Sequence, residues 1–186
     1  MNERIRKQVE VFQKILSEVP ELVYLGNPVL RTPTEEANIP EARKISEKLT
    51  KTLLKIRNIA GYGRGLAAPQ IGINKSVFIT YVNDKVQIYI NPKITNHSEK
   101  TNYYRELCLS SGIMWADIER PESIEMQWTD LEGKKHNQKF DSFLARLFQH
   151  EESHLRGVCN LDEAVNGTIE IPTSNPLEEK IRNTRK

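Results

Sequence analysis

The sequence is short of several things, and each shortage closes off a class of protein. Two cysteines in 186 residues, Cys108 and Cys159, cannot supply a disulfide framework. No apolar run approaches the length of a transmembrane helix. The first residues, Met1-Asn2-Glu3-Arg4-Ile5-Arg6, hold no signal-peptide core, and the early Glu3 and Glu10 argue against an organelle transit peptide. Charge of one sign is missing too. Lys and Arg number 27 against 25 Asp and Glu, interspersed, and the net +2 creates no strong field for nucleic acid or an anionic membrane. Internal repeats, low-complexity stretches and a linker long enough to divide domains are all absent. The expectation is a soluble cytoplasmic protein with one domain over residues 1–186, long enough to bury a sizeable core.

What is present reads in order. Ile5, Val9, Phe12, Leu16 and Val19 recur at helical spacing, which predicts an amphipathic helix within residues 1–20, ended by Pro20. Tyr24 to Leu30 is turn-rich and extended. Ala42, Ile45, Leu49, Leu53, Ile56 and Ala60 predict a second helix, with Pro40 suited to its first turn and Gly61 to its end. Gly63-Arg64-Gly65-Leu66-Ala67-Ala68 has the outline of a dinucleotide-binding turn, but that turn needs a strand before it and a helix after it. A helix precedes and Pro69 interrupts, so phosphate cradling is excluded. Ser76–Val82 and Lys85–Ile90 read as a hairpin turned at Asn83-Asp84, with Asn91-Pro92 stopping the second strand. Lys93 to Tyr104 reads as one or two short polar strands. Ile124, Met126 and Trp128 alternate in a further strand, which turns at Asp130–Gly133 into Lys134–Phe140. Asp141 or Ser142 then caps a late helix. Residues 172–186 read as a charged tail. Helix, strands and a late helix make this an α+β chain with antiparallel sheet.

The late helix carries Gln149-His150-Glu151-Glu152-Ser153-His154. Histidines four apart on a helix face the same way and can share one metal ion, and the adjacent glutamate can handle the proton of an activated water. Phe143, Leu147, His150 and His154 form one stripe, with Leu144, Phe148, Glu151 and Leu155 beside it. The side bearing Arg146, Gln149, Ser153 and Arg156 is polar. One histidine on a buried stripe is most simply core; two of them beside a glutamate are not, because burying an unpaired carboxylate is costly. A catalytic metal site normally adds a third protein ligand. Downstream candidates are Asp162, Glu163 and Glu170, as in a zincin-type metallopeptidase. Upstream, Cys108 lies before the turn signal Ser110-Ser111-Gly112 and could supply a thiolate; Cys159 reads as core.

Three stretches together resemble the peptide deformylase family: Gly63-Arg64-Gly65-Leu66-Ala67-Ala68-Pro69-Gln70, Glu106-Leu107-Cys108-Leu109-Ser110, and Gln149 to His154. Leu25 to Arg31, Asn91-Pro92 and Leu155-Arg156-Gly157-Val158 add to the likeness, which spans about Val23 to Asp162. The resemblance implies antiparallel sheets packed around the late helix. It implies a hydrolase that removes the formyl group from N-terminal formylmethionine of nascent polypeptides, a step of protein biosynthesis, with the nascent chain met at the ribosome. The implied metal is one divalent ion, usually Fe(II) and replaceable by Zn(II) or Ni(II), on Cys108, His150 and His154. Glu151 would move the proton. The Gln70 amide and the Leu109 N–H would stabilise the oxyanion, and Gly65 would let backbone lie close to substrate. The chain departs from the family's usual residues. Leu107 stands for Gly, Trp115 for an Arg, Ser111-Gly112 for an apolar residue and proline, and Ser153 for an Asp, which removes a charge near the metal. These departures motivate a further reading, a non-catalytic deformylase-like metal-binding protein.

Overall fold

The computed structural model describes residues 2–173, so the tail expected from residue 174 onward lies outside the described residues. Helix α1 (Glu3–Glu18) opens the chain, with the Asn2 side chain accepting from the Arg4 N–H. Helix α2 (Ile39–Ala60) starts with a reciprocal cap: Asn38 Oδ1 accepts from the Glu41 N–H and the Glu41 carboxylate accepts from the Asn38 N–H. Gly61, at φ +77, ends it in the left-handed region. Strands β1 (Gly65–Ala67), β2 (Val77–Val82), β3 (Lys85–His97), β6 (Ser123–Thr129) and β7 (Lys135–Asp141) form an antiparallel sheet in the order β1-β2-β3-β6-β7. Strands β4 (Thr101–Leu107) and β5 (Trp115–Pro121) form a separate two-stranded ribbon, and helix α3 (Ser142–Leu155) follows β7.

Strand alternation sorts the core into two layers. Val77, Ile79 and Ile90 face α2 and the inner side of α1, joining Leu49, Leu53, Ile56 and Ile15. Phe78 and Tyr89 point to the opposite face and pack with Phe140 and Phe148 beneath α3. There Phe78 stacks on Tyr89 at 4.7 Å, and Phe140 meets Phe148 edge-on at 4.5 Å. The sheet is therefore held between α2 on one side and α3 on the other.

Several expectations change. Asn91-Pro92 does not stop a strand; β3 runs on to His97 through a register shift between Ile90 and Lys93. Asn91 takes φ +49 and its amide bonds both the N–H and the C=O of Ala37, while Pro92 loses no ladder donor at a bulge. Tyr24–Leu30 is not extended throughout, because Pro28–Arg31 is a 3-10 turn capped by Asn27. Asp141 holds the N-cap position of α3 without a capping side-chain bond, and Ser142 takes φ +52. β5 was not anticipated at all. On α1 it is Ile15 that is buried, whereas Leu16 is exposed. On α3, Phe143 is exposed while Gln149 and Ser153 on the supposed polar side are buried. Gln149 donates to the carbonyls of Pro121 and Ala145, so the ribbon covers a side that looked like solvent face.

The end of α3 is pressed against the chain that follows the first 3-10 turn. Thr34 N–H donates to the Leu155 carbonyl at 2.9 Å. Gly157, at φ +78, leaves no room for a side chain: a Cβ there would come within 2.8 Å of the Arg31 backbone carbonyl. Gly157→Ala is expected to cost at least about 1–2 kcal/mol from the left-handed backbone alone. That corresponds to a melting temperature lower by roughly 2–8 °C. Thermal unfolding followed by circular dichroism checks it, and an unchanged midpoint would mean the Arg31 backbone yields freely.

Candidate active site

The helix and the ribbon meet at one buried carboxylate. Glu106, near the end of β4, is 7% exposed and takes four bonds. Arg120 of β5 binds it in bidentate fashion (Nε–Oε1 2.8 Å, Nη2–Oε2 3.0 Å), Arg146 of α3 reaches Oε1 at 2.6 Å, and His150 Nδ1 lies 2.8 Å from Oε2. Burial alone would raise this carboxyl; the bonds from His150 and Arg120 outweigh it and hold the group far below the usual carboxylate range. The bond to Nδ1 makes that nitrogen the donor; burial would lower this imidazole, yet the bonds to Cys108 and Glu106 hold it well above its usual value.

Two residues beyond Glu106, Cys108 brings its sulfur to 3.2 Å from His154 Nε2. One ligand atom each from Cys108, His150 and His154 lies within 4.8 Å of the others, and all three residues are buried or nearly so. Bonds from thiolate and imidazole to a metal are about 2.0–2.3 Å, so ligands of one tetrahedral ion stand roughly 3.3–3.8 Å apart. The arrangement fits such an ion. Burial would raise the Cys108 thiol, yet the imidazoles of His154 and His150 bring it well below its usual value. Burial would likewise lower His154, but the Cys108 thiolate holds it up at about 10. These are protons that a bound cation displaces. The downstream carboxylates are engaged elsewhere: Asp162 with Arg31 and the Cys159 N–H, Glu163 with Arg120, and Glu170 with Arg105.

The remaining predicted residues surround this cluster. Burial pushes the Glu151 carboxyl up to about 7, with His150 and His154 pulling the other way. Its Oε2 is buried without a hydrogen-bond partner, an acceptor waiting for a donor. Gly65 lies against it, so close that a Cβ would fall 2.2 Å from Glu151 Oε1. In this structure the absent side chain at Gly65 therefore makes room for the glutamate. Gln70 sits in the 3-10 turn Ala68–Ile71. Its Oε1 accepts from the Ala67 N–H at 2.9 Å, which turns Nε2 toward Ser110 Oγ (3.2 Å) and Cys108 Sγ (3.5 Å). Leu109 opens the 3-10 turn Leu109–Ser111, where the leading N–H groups have no partner within the turn itself. Gly65, Gln70, Leu109, His150 and Glu151 all border one cleft of about 520 Å³, ample for a small ligand.

Two residues make contacts at the site that their sequence did not signal: Cys159, which reads as core, and Glu163, which reads as a candidate metal ligand. Cys159 is buried as expected, but its sulfur lies 3.9 Å from Nδ1 of His154, on the far side of the ring from Cys108. Glu163 restores the charge that Ser153 was thought to remove. Its carboxylate lies 3.3 Å from Ser153 Oγ and pairs with Arg120 at 2.9 Å. The spacing between Ser153 and Glu163 gives no sequence signal, since a turn separates them.

With this geometry in hand, the comparisons are consistent. The pattern of the polypeptide deformylase family matches residues 19–168. Peptide deformylase from Synechocystis sp. is 37% identical over 161 residues, covering 83% of each chain. That from Treponema pallidum is 37% identical over 142 residues, 76% of this chain and 86% of its own. Among solved structures, a peptide deformylase from Synechococcus elongatus in complex with actinonin has a TM-score of 0.70 at 35% identity, covering 78% of this chain and 79% of the other.

Glu106→Gln tests the central carboxylate. It keeps the shape but removes the anion that neutralises two guanidiniums and orients His150. Affinity for Zn(II) is expected to fall about 10–100-fold, read by competition with a chromophoric chelator. Unchanged affinity would show that His150 needs no charged partner.

Proposed function

The chain belongs to the polypeptide deformylase family, and from that premise we propose which of its residues perform the reaction. The protein is a metal-dependent deformylase, and its substrate is an N-formyl peptide. The observation that carries the assignment of residues is the meeting of Cys108, His150 and His154 beside an unpartnered buried carboxylate oxygen. Cys108, His150 and His154 would hold one divalent ion, which would supply Lewis-acid activation of water and of the formyl carbonyl.

The chain's own groups do the rest. Glu151 takes a proton from the attacking water and hands it to the departing amine. A carboxyl raised to about 7 by burial suits transfer in both directions near neutral pH. The products are formate and a free N-terminal amine. Charge developing on the formyl oxygen is met by the Gln70 amide and the Leu109 N–H, donors already fixed before substrate arrives. Gln70 is held in orientation by its own bond to Ala67, and its NH2 would exchange the long contact to Cys108 for the formyl oxygen. Gly65 keeps Glu151 in place by offering it space, and its backbone borders the cleft where the peptide lies. Mixed thiolate and imidazole ligation suits iron, zinc or nickel, and Fe(II) is the reading for the physiological ion.

The formylmethionine of a nascent chain is the substrate this assigns, met in the cytoplasm and at the ribosome. No described helix is long and apolar enough to cross a membrane. The zincin alternative loses its third ligand, because Asp162, Glu163 and Glu170 are all committed to arginines.

Glu151→Gln is expected to keep a full complement of metal while formate release from formyl-Met-Ala-Ser drops by about 10²–10⁴-fold. Cys108→Ala is expected to lose the metal itself. Both are read on one anaerobically purified sample by metal analysis and a formate assay. Full activity in Glu151→Gln would remove the proton carrier from the mechanism, and full metal occupancy in Cys108→Ala would remove the thiolate from the ligand set.

A further inference from the structure

Several features that the formyl chemistry does not use meet on one side of the cleft. Helix α1 lies ahead of the segment that matches the family pattern, which begins at residue 19. Yet Arg4 and Gln8 of α1 border the same cleft as Glu151. The helix is seated there by specific contacts. Phe12 lies over Gly112, where a Cβ would come within 3.1 Å of its ring, and it stands edge-on to Tyr24 with centroids 5.3 Å apart. Gln8 Nε2 donates to the Pro172 carbonyl at 3.0 Å. The chain leading to Pro172 is itself tied to β5: the Trp115 and Glu170 backbones exchange two bonds of 2.9 Å.

The positions where this chain leaves the family's usual residues fall in the same place. Leu107 and Trp115 are direct cross-strand partners on the ribbon, so their side chains stand on one face, and both border the cleft. Gly112, between them, is the residue that gives Phe12 its room; a proline there could not take the observed φ of +67. Three departures thus lie on the turn that receives the added helix.

We propose that α1 and the Leu107–Trp115 turn form one wall of the substrate site, which contacts the peptide residues following the formylated methionine. This rests on the deformylase reading and deepens it. The formyl group is assigned to the Cys108, Gln70 and Glu151 end, and Gln8, Ile113 and Trp115, which border the same cleft, are the surface the proposal gives to the rest of the peptide. The bond to Pro172 uses one N–H of the Gln8 amide and leaves it a second N–H and Oε1, which suits a peptide backbone. Ile113 and Trp115 offer apolar surface to an uncharged side chain. The ligand class is therefore the backbone and small or apolar side chains of the second and third residues.

The test compares two substrates on the metal-loaded full chain: formylmethioninamide, which ends at methionine, and formyl-Met-Ala-Ser. Wild type, Gln8→Ala and Phe12→Leu are measured for kcat and KM, with metal content and melting temperature recorded for each. Loss of one hydrogen bond to the peptide is expected to lower the tripeptide-to-amide ratio of kcat/KM about three- to tenfold in Gln8→Ala. The change should be carried by the tripeptide KM. Phe12→Leu, which loosens the seat, should lower the same ratio. A ratio equal to wild type in both variants overturns the proposal and leaves α1 as packing, even if both substrates slow together. Failure of wild type to release formate from either substrate overturns the deformylase reading itself, and this proposal with it.

Discussion

A single buried carboxylate holds the active parts of this molecule in register. Glu106 is almost out of water, where an unpaired charge would be expelled or neutralised. It is kept ionised by Arg120, Arg146 and His150. Arg120 in turn leans on Glu163, so two guanidiniums face two carboxylates and the formal charge closes. Removing one member of such a buried group costs about 3–5 kcal/mol, because the others are left uncompensated. The register follows from two periodicities. Arg146, His150 and His154 are each four apart on α3, while Glu106 and Cys108 are two apart at the end of β4. Once Glu106 has bonded the first two helix positions, the next sulfur along the chain arrives at the third.

Glycine at position 65 controls a second spacing. The strand that carries it runs so close to Glu151 that no side chain fits between them. That closeness excludes water from the carboxyl and raises it to about 7, which is the property a two-way proton carrier requires. The same strand continues into the Ala68–Ile71 turn, where the Ala67 N–H fixes the Gln70 amide. One short stretch thus lies against the Glu151 carboxyl and fixes the direction of the Gln70 amide. Its glycines resembled a phosphate-binding turn in outline, but their use here is close approach of backbone to a helix.

Periodicity and capping made both long helices legible, and the first hairpin was written in Asn83-Asp84, which do take positive φ. The meeting of His150 and His154 with Cys108 was foreshadowed by the spacing of the histidines and by the resemblance that joined the cysteine to them. What failed was whatever depended on a distant partner. β5 escaped notice because its inward positions are Ala116, Ile118 and Arg120, and an inward arginine breaks the apolar alternation that marks a strand. Nothing local says that Arg120 has a carboxylate to meet. Gln149 and Ser153 looked like solvent-facing residues because what covers them, the ribbon at Pro121 for one and Glu163 for the other, is not marked locally in the helix sequence. Asn91-Pro92 looked like a stop because a bulge and a stop share the same local chemistry; the backbone of Ala37, far away in sequence, decides between them.

The departures from the family's usual residues separate on physical grounds. Ser153 gives up a charge, and Glu163, from the turn after α3, brings a carboxylate to its hydroxyl and pairs with Arg120. A carboxylate thus stands beside Ser153 although it comes from elsewhere in the sequence. Leu107, Gly112 and Trp115 have no such replacement. They change the shape and polarity of the cleft's outer wall, and the surface they remodel is the one on which α1 rests. A substitution that disturbed the charge group would be felt at His150, which Glu106 bonds directly. A substitution at the wall leaves that group untouched and alters only what can lie beside it. The charged cluster and the remodelled surface thus lie on different parts of one ribbon: Glu106 and Cys108 at its base meet the two helix histidines, while Gly112 and Trp115, beyond them, lie beside α1 and the cleft.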